Sequence, residues 1–125
     1  MTTAQEPDAR SAPVRRFTDP AYVPLAPTLG NLRARIDELD AQIVQLVARR
    51  AACVRDATRF KRDAYQVAAP ARQAQVFERV RALAQAQVTS FPGFPDVVEA
   101  TYRAMVGGFV AAEAQLFNET ETIAP

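Results

Sequence analysis

The chain has 125 residues, fifteen basic and fourteen acidic side chains, one cysteine and no histidine. This even balance of charge gives no sign of a face that binds nucleic acid or of a surface that binds a membrane. A single cysteine without histidine excludes disulfide stapling, a zinc cluster and a Ser-His or Cys-His nucleophile. Any catalysis must therefore use arginine, lysine, carboxyl and amide groups. Because no apolar run approaches the length of a membrane span or a signal peptide, we expect a cytoplasmic protein.

Residues 1–28 are predicted to form a flexible, proline-rich arm. They contain five of the nine prolines of the chain and few apolar residues, a composition that disfavours helices and a packed core. Arg15, Arg16 and Phe17 either dock on another surface or lie in solvent, and the composition of the arm favours solvent. The core must come from a helical domain predicted at residues 29–118. That length is small for a single core and favours an oligomer.

A long first helix is predicted at residues 29–64. Its stripe alternates steps of four and three residues, as in a helix that packs against other helices. The stripe comprises Leu32, Ile36, Leu39, Ile43, Leu46, Arg50, Cys53, Ala57 and Phe60. A helix of about ten turns seldom stays within one small monomer. On this stripe, Cys53 is expected to be a small core residue rather than a nucleophile.

Two shorter helices are predicted after the first. Pro70 suits the first turn of the second helix, which is expected to end near Gln87. Residues 89–95 break the pattern, and Asp96 follows as a first-turn acid of the third helix. The two buried stripes comprise Val76, Phe77, Val80 and Leu83, and then Val98, Tyr102, Met105, Phe109, Ala112 and Leu116. Because the sequence has no strand alternation and no glycine-rich phosphate loop, the predicted fold class is all-α. Residues 119–125 are predicted to form a C-terminal tail.

Arg50 and Lys61, the only lysine of the chain, give the first functional signal. They lie eleven residues apart, which is close to three turns of one continuous helix. Their side chains would then point the same way, with Cα atoms roughly 16 Å apart. Both lie on or beside the apolar stripe, where a charge is costly unless it is paired. Two cations that converge in this way imply a small anionic ligand.

Glu113 is a further candidate because it shares the apolar face of the third helix, three residues before Leu116. Desolvation there favours a neutral carboxyl group that donates a hydrogen bond, unless a cation lies close. The alternative is that Glu113 lies at the edge of the stripe and reaches solvent.

Arg33 precedes Arg50 by seventeen residues, or about 25 Å along a helix. One small ligand cannot contact both arginines within one chain. Arg33 therefore either serves the site of a partner chain or is an ordinary surface arginine.

Three segments resemble the all-helical chorismate mutases: residues 32–40 (LRARIDELD), 43–50 (IVQLVARR) and 59–61 (RFK). The Arg-Phe-Lys segment is especially similar to the branch that contains isochorismate pyruvate lyases. The resemblance covers about residues 29–117. It implies an intertwined homodimer of three-helix chains, in which the long first helices pair and each active site borrows one arginine from the partner chain.

Carried over by position, the resemblance implies roles for the cationic residues. Arg33 is similar to the borrowed arginine and Arg50 to the arginine of the same chain, and each binds a substrate carboxylate. Lys61 is similar to the lysine that hydrogen-bonds the ether oxygen and a carboxylate. Arg72 is similar to an arginine of the second helix that faces the ligand. The implied substrate is a small dicarboxylate, chorismate or isochorismate, and no cofactor or metal is implied.

Two positions bear on the substrate. Glu113 lies where many relatives, including the lyases, have glutamine and some mutases have glutamate. Gln73 lies where typical mutases have a glutamate that binds the ring hydroxyl; an amide still binds a hydroxyl but offers no charge. Gln73 therefore leaves the details of substrate recognition open.

The implied reaction is the rearrangement of chorismate to prephenate. It is concerted and needs no nucleophile, so a chain without histidine is able to perform it. It requires a dianion held in its reactive shape and donors aimed at the ether oxygen as negative charge grows there. The nearest alternative is an isochorismate pyruvate lyase, although Glu113 in place of glutamine favours the mutase. The alternative from another class is a non-catalytic module for helical dimerisation or metabolite binding, in which the apolar stripe is only an interface.

Overall fold

A computed structural model describes residues 5–123, so the first four residues of the predicted arm and the last two of the predicted tail lie outside the described residues. The elements in chain order are α1 (Leu29–Ala57), a 3₁₀ turn (Thr58–Phe60), α2 (Ala64–Ala68), α3 (Pro70–Gln85) and α4 (Phe94–Asn118). No strand occurs within residues 5–123. The predicted all-α fold with one long and two shorter helices is confirmed, and α2 is an additional short helix. None of the described helices is both long enough and apolar enough to span a membrane.

The chain divides into two compact units between Ala48 and Arg49, within α1. In the first unit, residues 5–28 form turns and bends. The backbone N–H of Gly30 donates to the carbonyl of Ala9 at 2.9 Å, which ties this segment to the first turn of α1.

The apolar stripe of α1 is largely uncovered. No residue of α1 is buried. Four stripe residues of the first unit keep between 54% and 58% of their surface accessible: Ile36, Leu39, Ile43 and Leu46. Within residues 5–48, this part of the predicted seam therefore has no packing partner.

The first helix is shorter than predicted and ends at Ala57. The Thr58 Oγ1 atom lies 3.1 Å from the carbonyl of Val54, and a threonine hydroxyl this close to the carbonyl four residues earlier often bends a helix. After the 3₁₀ turn, Lys61 adopts an extended backbone with φ −98° and ψ 135°. The prediction that Lys61 continues the helix of Arg50 is therefore wrong.

The second unit is assembled on α4, which packs most extensively against α3 and also contacts α2 and the 3₁₀ turn. The buried apolar side chains are Val67, Phe77, Val80, Ala84 and Val106. The α3 members follow the spacing i, i+3, i+7 of one helix face. Leu83 was predicted to belong to this stripe, but it is 53% exposed, because the neighbouring Ala84 occupies the inward position.

Ala69 joins α2 to α3 in a left-handed conformation, with φ 44° and ψ 60°. It is the only non-glycine residue with positive φ in the described chain, and this conformation costs a residue with a Cβ atom roughly 1 kcal/mol. The N–H of Ala69 donates to the carbonyl of Tyr65 at 2.9 Å. Pro70 begins α3 immediately afterwards, as predicted. Ala69 is therefore the single residue that separates α2 from α3.

The other end of α2 depends on Asp63. Its carboxylate accepts the backbone N–H of Gln66 at 2.9 Å. We expect Asp63→Ala to lower the free energy of unfolding by about 1 kcal/mol, because this N–H loses its acceptor. Asp63→Asn keeps an acceptor oxygen and is the matched control. Urea unfolding of the three proteins measures the effect, and equal stability of the two variants would contradict the capping role.

Candidate active site

A cavity of about 300 Å³ opens in the second unit, a size suited to a small metabolite. Its wall contains five of the six predicted site residues: Arg50, Lys61, Arg72, Gln73 and Glu113. The other lining residues are Cys53, Val54, Ala57, Val67, Ala68, Ala69, Val76, Val106, Phe109 and Val110. The sixth predicted residue, Arg33, belongs to the first unit and does not line this wall.

Glu113 is the most buried polar group of the cavity, with 3% of its surface exposed. Its Oε2 accepts hydrogen bonds from Lys61 Nζ at 3.1 Å and from Thr58 Oγ1 at 3.0 Å. Of the two alternatives considered for Glu113, the structure shows burial on the apolar face. Lys61 supplies the nearby cation that an ionised carboxyl group needs in such a position.

Lys61 reaches Glu113 from the extended segment that follows the 3₁₀ turn, and 21% of its side chain is exposed. Its ammonium group has three protons. One of them points to Glu113, so two remain for a ligand. Lys61 and Arg50 line the same cavity although they do not share a continuous helix.

Arg50 and Arg72 supply the other two cations of the wall. The Arg50 guanidinium lies 5.8 Å from the centre of the Tyr102 ring, within range of a cation–π contact. Together with Lys61 and Glu113, the wall carries three cationic groups and one carboxyl group, a net charge of +2 when all four are ionised. A small dianion matches this charge.

The amide of Gln73 is oriented by the junction between α2 and α3. Its Nε2 donates to the carbonyl of Ala68 in a short hydrogen bond, and its backbone N–H donates to the carbonyl of Ala69 at 3.0 Å. Because a carbonyl group only accepts hydrogen bonds, the contact with Ala68 identifies the Gln73 atom that faces it as the amide nitrogen. The Gln73 Oε1 atom is left as an acceptor, which suits a hydroxyl group of a ligand.

Sequence reasoning missed Thr58, which is 3% exposed and contacts Glu113 directly. The available signal was a threonine inside an otherwise continuous helical pattern, since its hydroxyl competes for backbone acceptors and bends helices. Tyr102 was predicted only as a member of the apolar stripe. Its contact with Arg50 depends on how α4 packs and leaves no signal in residue spacing.

Comparison with known protein families agrees with this geometry. A profile of the family described as chorismate mutase type II matches residues 32–114. The match spans every residue that lines the cavity. The chain therefore belongs to the chorismate mutase type II family. Searches of curated proteins and of solved structures found no match.

The Lys61–Glu113 pair makes a prediction about stability. Lys61→Met keeps an unbranched side chain but leaves Glu113 buried without its cation. Because Lys61 is partly exposed, we expect a loss of about 2 kcal/mol at neutral pH, somewhat less than for a fully buried pair. Adding Glu113→Gln should recover most of this loss. Urea unfolding of the wild type, both single variants and the double variant gives the coupling energy, and a value near zero would show that the pair does not stabilise the fold.

Proposed function

We propose that this protein is a chorismate mutase that rearranges chorismate to prephenate in a homodimer with shared active sites. Membership of the chorismate mutase type II family supports activity of this type. The observation that carries the proposal is the buried Lys61–Glu113 pair, which lies in the wall of a cavity with two arginines. These groups are the ones that the reaction needs, namely cations for two carboxylates and donors for one ether oxygen.

The arginines bind and shape the substrate. Arg50, and Arg33 of a second copy, each bind one carboxylate through paired N–H groups, which sets its direction as well as its position. Arg72 adds positive charge at the start of α3. Holding the dianion in its compact conformer lowers the entropic part of the barrier. The Oε1 atom of Gln73 accepts a hydrogen bond from the ring hydroxyl.

Lys61 and Glu113 act on the bond that breaks. As the C–O bond lengthens, negative charge grows on the ether oxygen, and a preorganised donor stabilises it. The ammonium group of Lys61 donates a hydrogen bond to this oxygen. A neutral Glu113 adds a second donor, whereas an ionised Glu113 would repel the growing charge.

The homodimer is supported by the uncovered stripe of α1. A second copy of α1 would bury Ile36, Leu39, Ile43 and Leu46, which are more than half exposed in the single chain. Pairing of this kind also brings Arg33 of one chain to the cavity of its partner. The flexible arm at residues 1–28 and the cytoplasmic location remain predictions.

The deciding experiment is an assay of the purified protein with chorismate and isochorismate side by side. We expect prephenate from chorismate with kcat/KM of at least about 10⁴ M⁻¹s⁻¹. Salicylate and pyruvate from isochorismate, without prephenate formation, would favour the lyase. Absence of both activities, together with a Tm that does not rise with a dicarboxylate analogue, would favour the non-catalytic dimerisation module.

Shared sites predict that two inactive variants restore each other. Arg33→Ala and Lys61→Ala should each lower kcat/KM by at least about 10²-fold, since each removes a charged group that stabilises the transition state. In a heterodimer of the two, one site carries both defects and the other carries neither. Random exchange makes half of the dimers mixed, so about one quarter of wild-type activity should return.

The matched control mixes Arg50→Ala with Lys61→Ala. Both of these residues belong to the same half of the site, so every site in their heterodimer keeps one defect. Activity that returns equally in both mixtures, or in neither despite demonstrated subunit exchange, would contradict a site shared through Arg33.

The role of Glu113 predicts a pH dependence. If the neutral carboxyl group is the donor, kcat/KM is highest at low pH and falls as Glu113 loses its proton, because the carboxylate repels the ether oxygen. The amide of Glu113→Gln donates at every pH, so this variant should lack the alkaline decline. Profiles of kcat/KM for chorismate test this, and two profiles of the same shape would show that Glu113 is not the titrating donor.

A further inference from the structure

Thr58 has one hydroxyl proton and two acceptors within reach. Its Oγ1 lies 3.1 Å from the Val54 carbonyl and 3.0 Å from Glu113 Oε2. A hydroxyl group donates to one acceptor at a time, and a carboxylate oxygen is the stronger acceptor of the two. Because Thr58 is only 3% exposed, solvent offers this hydroxyl little alternative. Its proton is therefore directed at Glu113 whenever the carboxyl group is ionised.

The two oxygens of Glu113 differ in their surroundings. Oε2 receives both donors, Thr58 and Lys61. Within residues 5–123, Oε1 has no hydrogen-bond partner, and it is not among the fully enclosed polar atoms that lack one. In the ligand-free chain, both acceptor positions of Oε2 are occupied, so a proton taken up by Glu113 goes to Oε1, and Oε2 then remains a carbonyl oxygen that still accepts the Thr58 hydroxyl.

The two donors to Oε2 are not equivalent once a ligand binds. Lys61 is charged and lines the cavity, so a dianion draws it away from Glu113. Thr58 is uncharged and buried, and the cavity wall does not include it. Thr58 therefore remains on Oε2 when Lys61 turns to the ligand.

We propose that Thr58 is a positioning residue that reserves Oε2 as an acceptor and thereby leaves Oε1 of Glu113 to carry the proton toward the ligand. This inference rests on the proposed function for its catalytic meaning, since a proton on Oε1 matters only to a ligand that accepts it. The same contact orients a glutamine at position 113, because Thr58 binds the amide oxygen and leaves the NH₂ group at the cavity.

Other groups face Glu113 as well. Arg50 and Cys53 of α1, Lys61 and Arg72 line the same cavity, and Arg55 lines a neighbouring apolar cavity that also includes Glu113. None of their side chains is a hydrogen-bond partner of the Thr58 hydroxyl within residues 5–123, and the contact between Lys61 and Thr58 joins the backbone N–H of Lys61 to the Thr58 carbonyl. Removal of the Thr58 hydroxyl therefore acts on Glu113 directly rather than through one of these groups.

The test compares Thr58→Val, which keeps the shape and removes the hydroxyl, with Thr58→Ser, which keeps the hydroxyl. Thr58→Ala removes the same hydroxyl and replaces the valine variant if that protein does not fold. In ligand-free protein labelled with ¹³C at glutamate side-chain carboxyl groups, the Glu113 signal is assigned by its loss in Glu113→Gln. We expect Thr58→Val to gain its Glu113 proton at higher pH than the wild type, because the ionised form has lost a donor, and Thr58→Ser to titrate like the wild type.

Kinetics with chorismate supply the second readout. Thr58→Val should lower kcat roughly tenfold, about the effect of losing one oriented hydrogen bond, with little change in KM. Its alkaline decline should move to higher pH. In the Glu113→Gln background, Thr58→Val should still lower kcat, because the amide loses its orientation, but no pH dependence should appear.

The two readouts separate the possible failures. A Glu113 titration that is the same in the wild type and in the hydroxyl-free variants would overturn the role of Thr58, whatever the turnover. An altered titration with unchanged kcat in an active enzyme would overturn the positioning role as well. If the wild type does not convert chorismate, the proposed function fails, whereas the titration still decides whether Thr58 acts on Glu113.

Discussion

A carboxyl group buried on the apolar face of α4 is the constraint on which the second unit depends. Glu113 is 3% exposed, and burial of such a group is tolerable only with donors on its oxygens. Both donors, Thr58 and Lys61, come from the segment where the chain leaves α1. Both donors bind the same atom, Glu113 Oε2. Their positions are set by the end of α1, the 3₁₀ turn and the extended backbone at Lys61. Lys61 and Glu113 also line the cavity, so the contacts that stabilise this part of the fold also form part of the wall of the candidate site.

Hydrophobic periodicity was sufficient to predict the three longer helices, but neither the short α2 nor the end of α1. The stripe continues in sequence to Phe60, and local pattern alone extends the helix through it. The helix stops earlier because Lys61 bonds to a residue 52 positions away, and no local rule contains that distant partner. The wrong prediction that Leu83, and not Ala84, is buried has a similar origin. The inward face of α3 is set by its contact with α4.

The candidate site was predictable largely because the chain resembles a known family. Five of the six residues carried over by position line one cavity, although Arg50 and Lys61 do not lie on one continuous helix. The contact between Thr58 and Glu113 and the orientation of Gln73 were beyond sequence reasoning, because each depends on which carboxylate or backbone carbonyl lies near in the folded chain. Arg33 lies in the first unit, and its proposed role requires a second chain, so the single chain does not test that role.

The left-handed backbone at Ala69 restricts how this site can change during evolution. Glycine, asparagine and aspartate adopt this conformation at modest cost, whereas a β-branched residue does not. The neighbouring Ala68 carbonyl determines which end of the Gln73 amide faces the cavity. A replacement at position 69 that shifts this carbonyl would thus alter which polar group of a ligand is recognised, even with every charged residue of the site retained. Under the proposed function, substitutions at this junction between two helices would therefore change substrate preference, and a comparison of catalytic residues alone would overlook them.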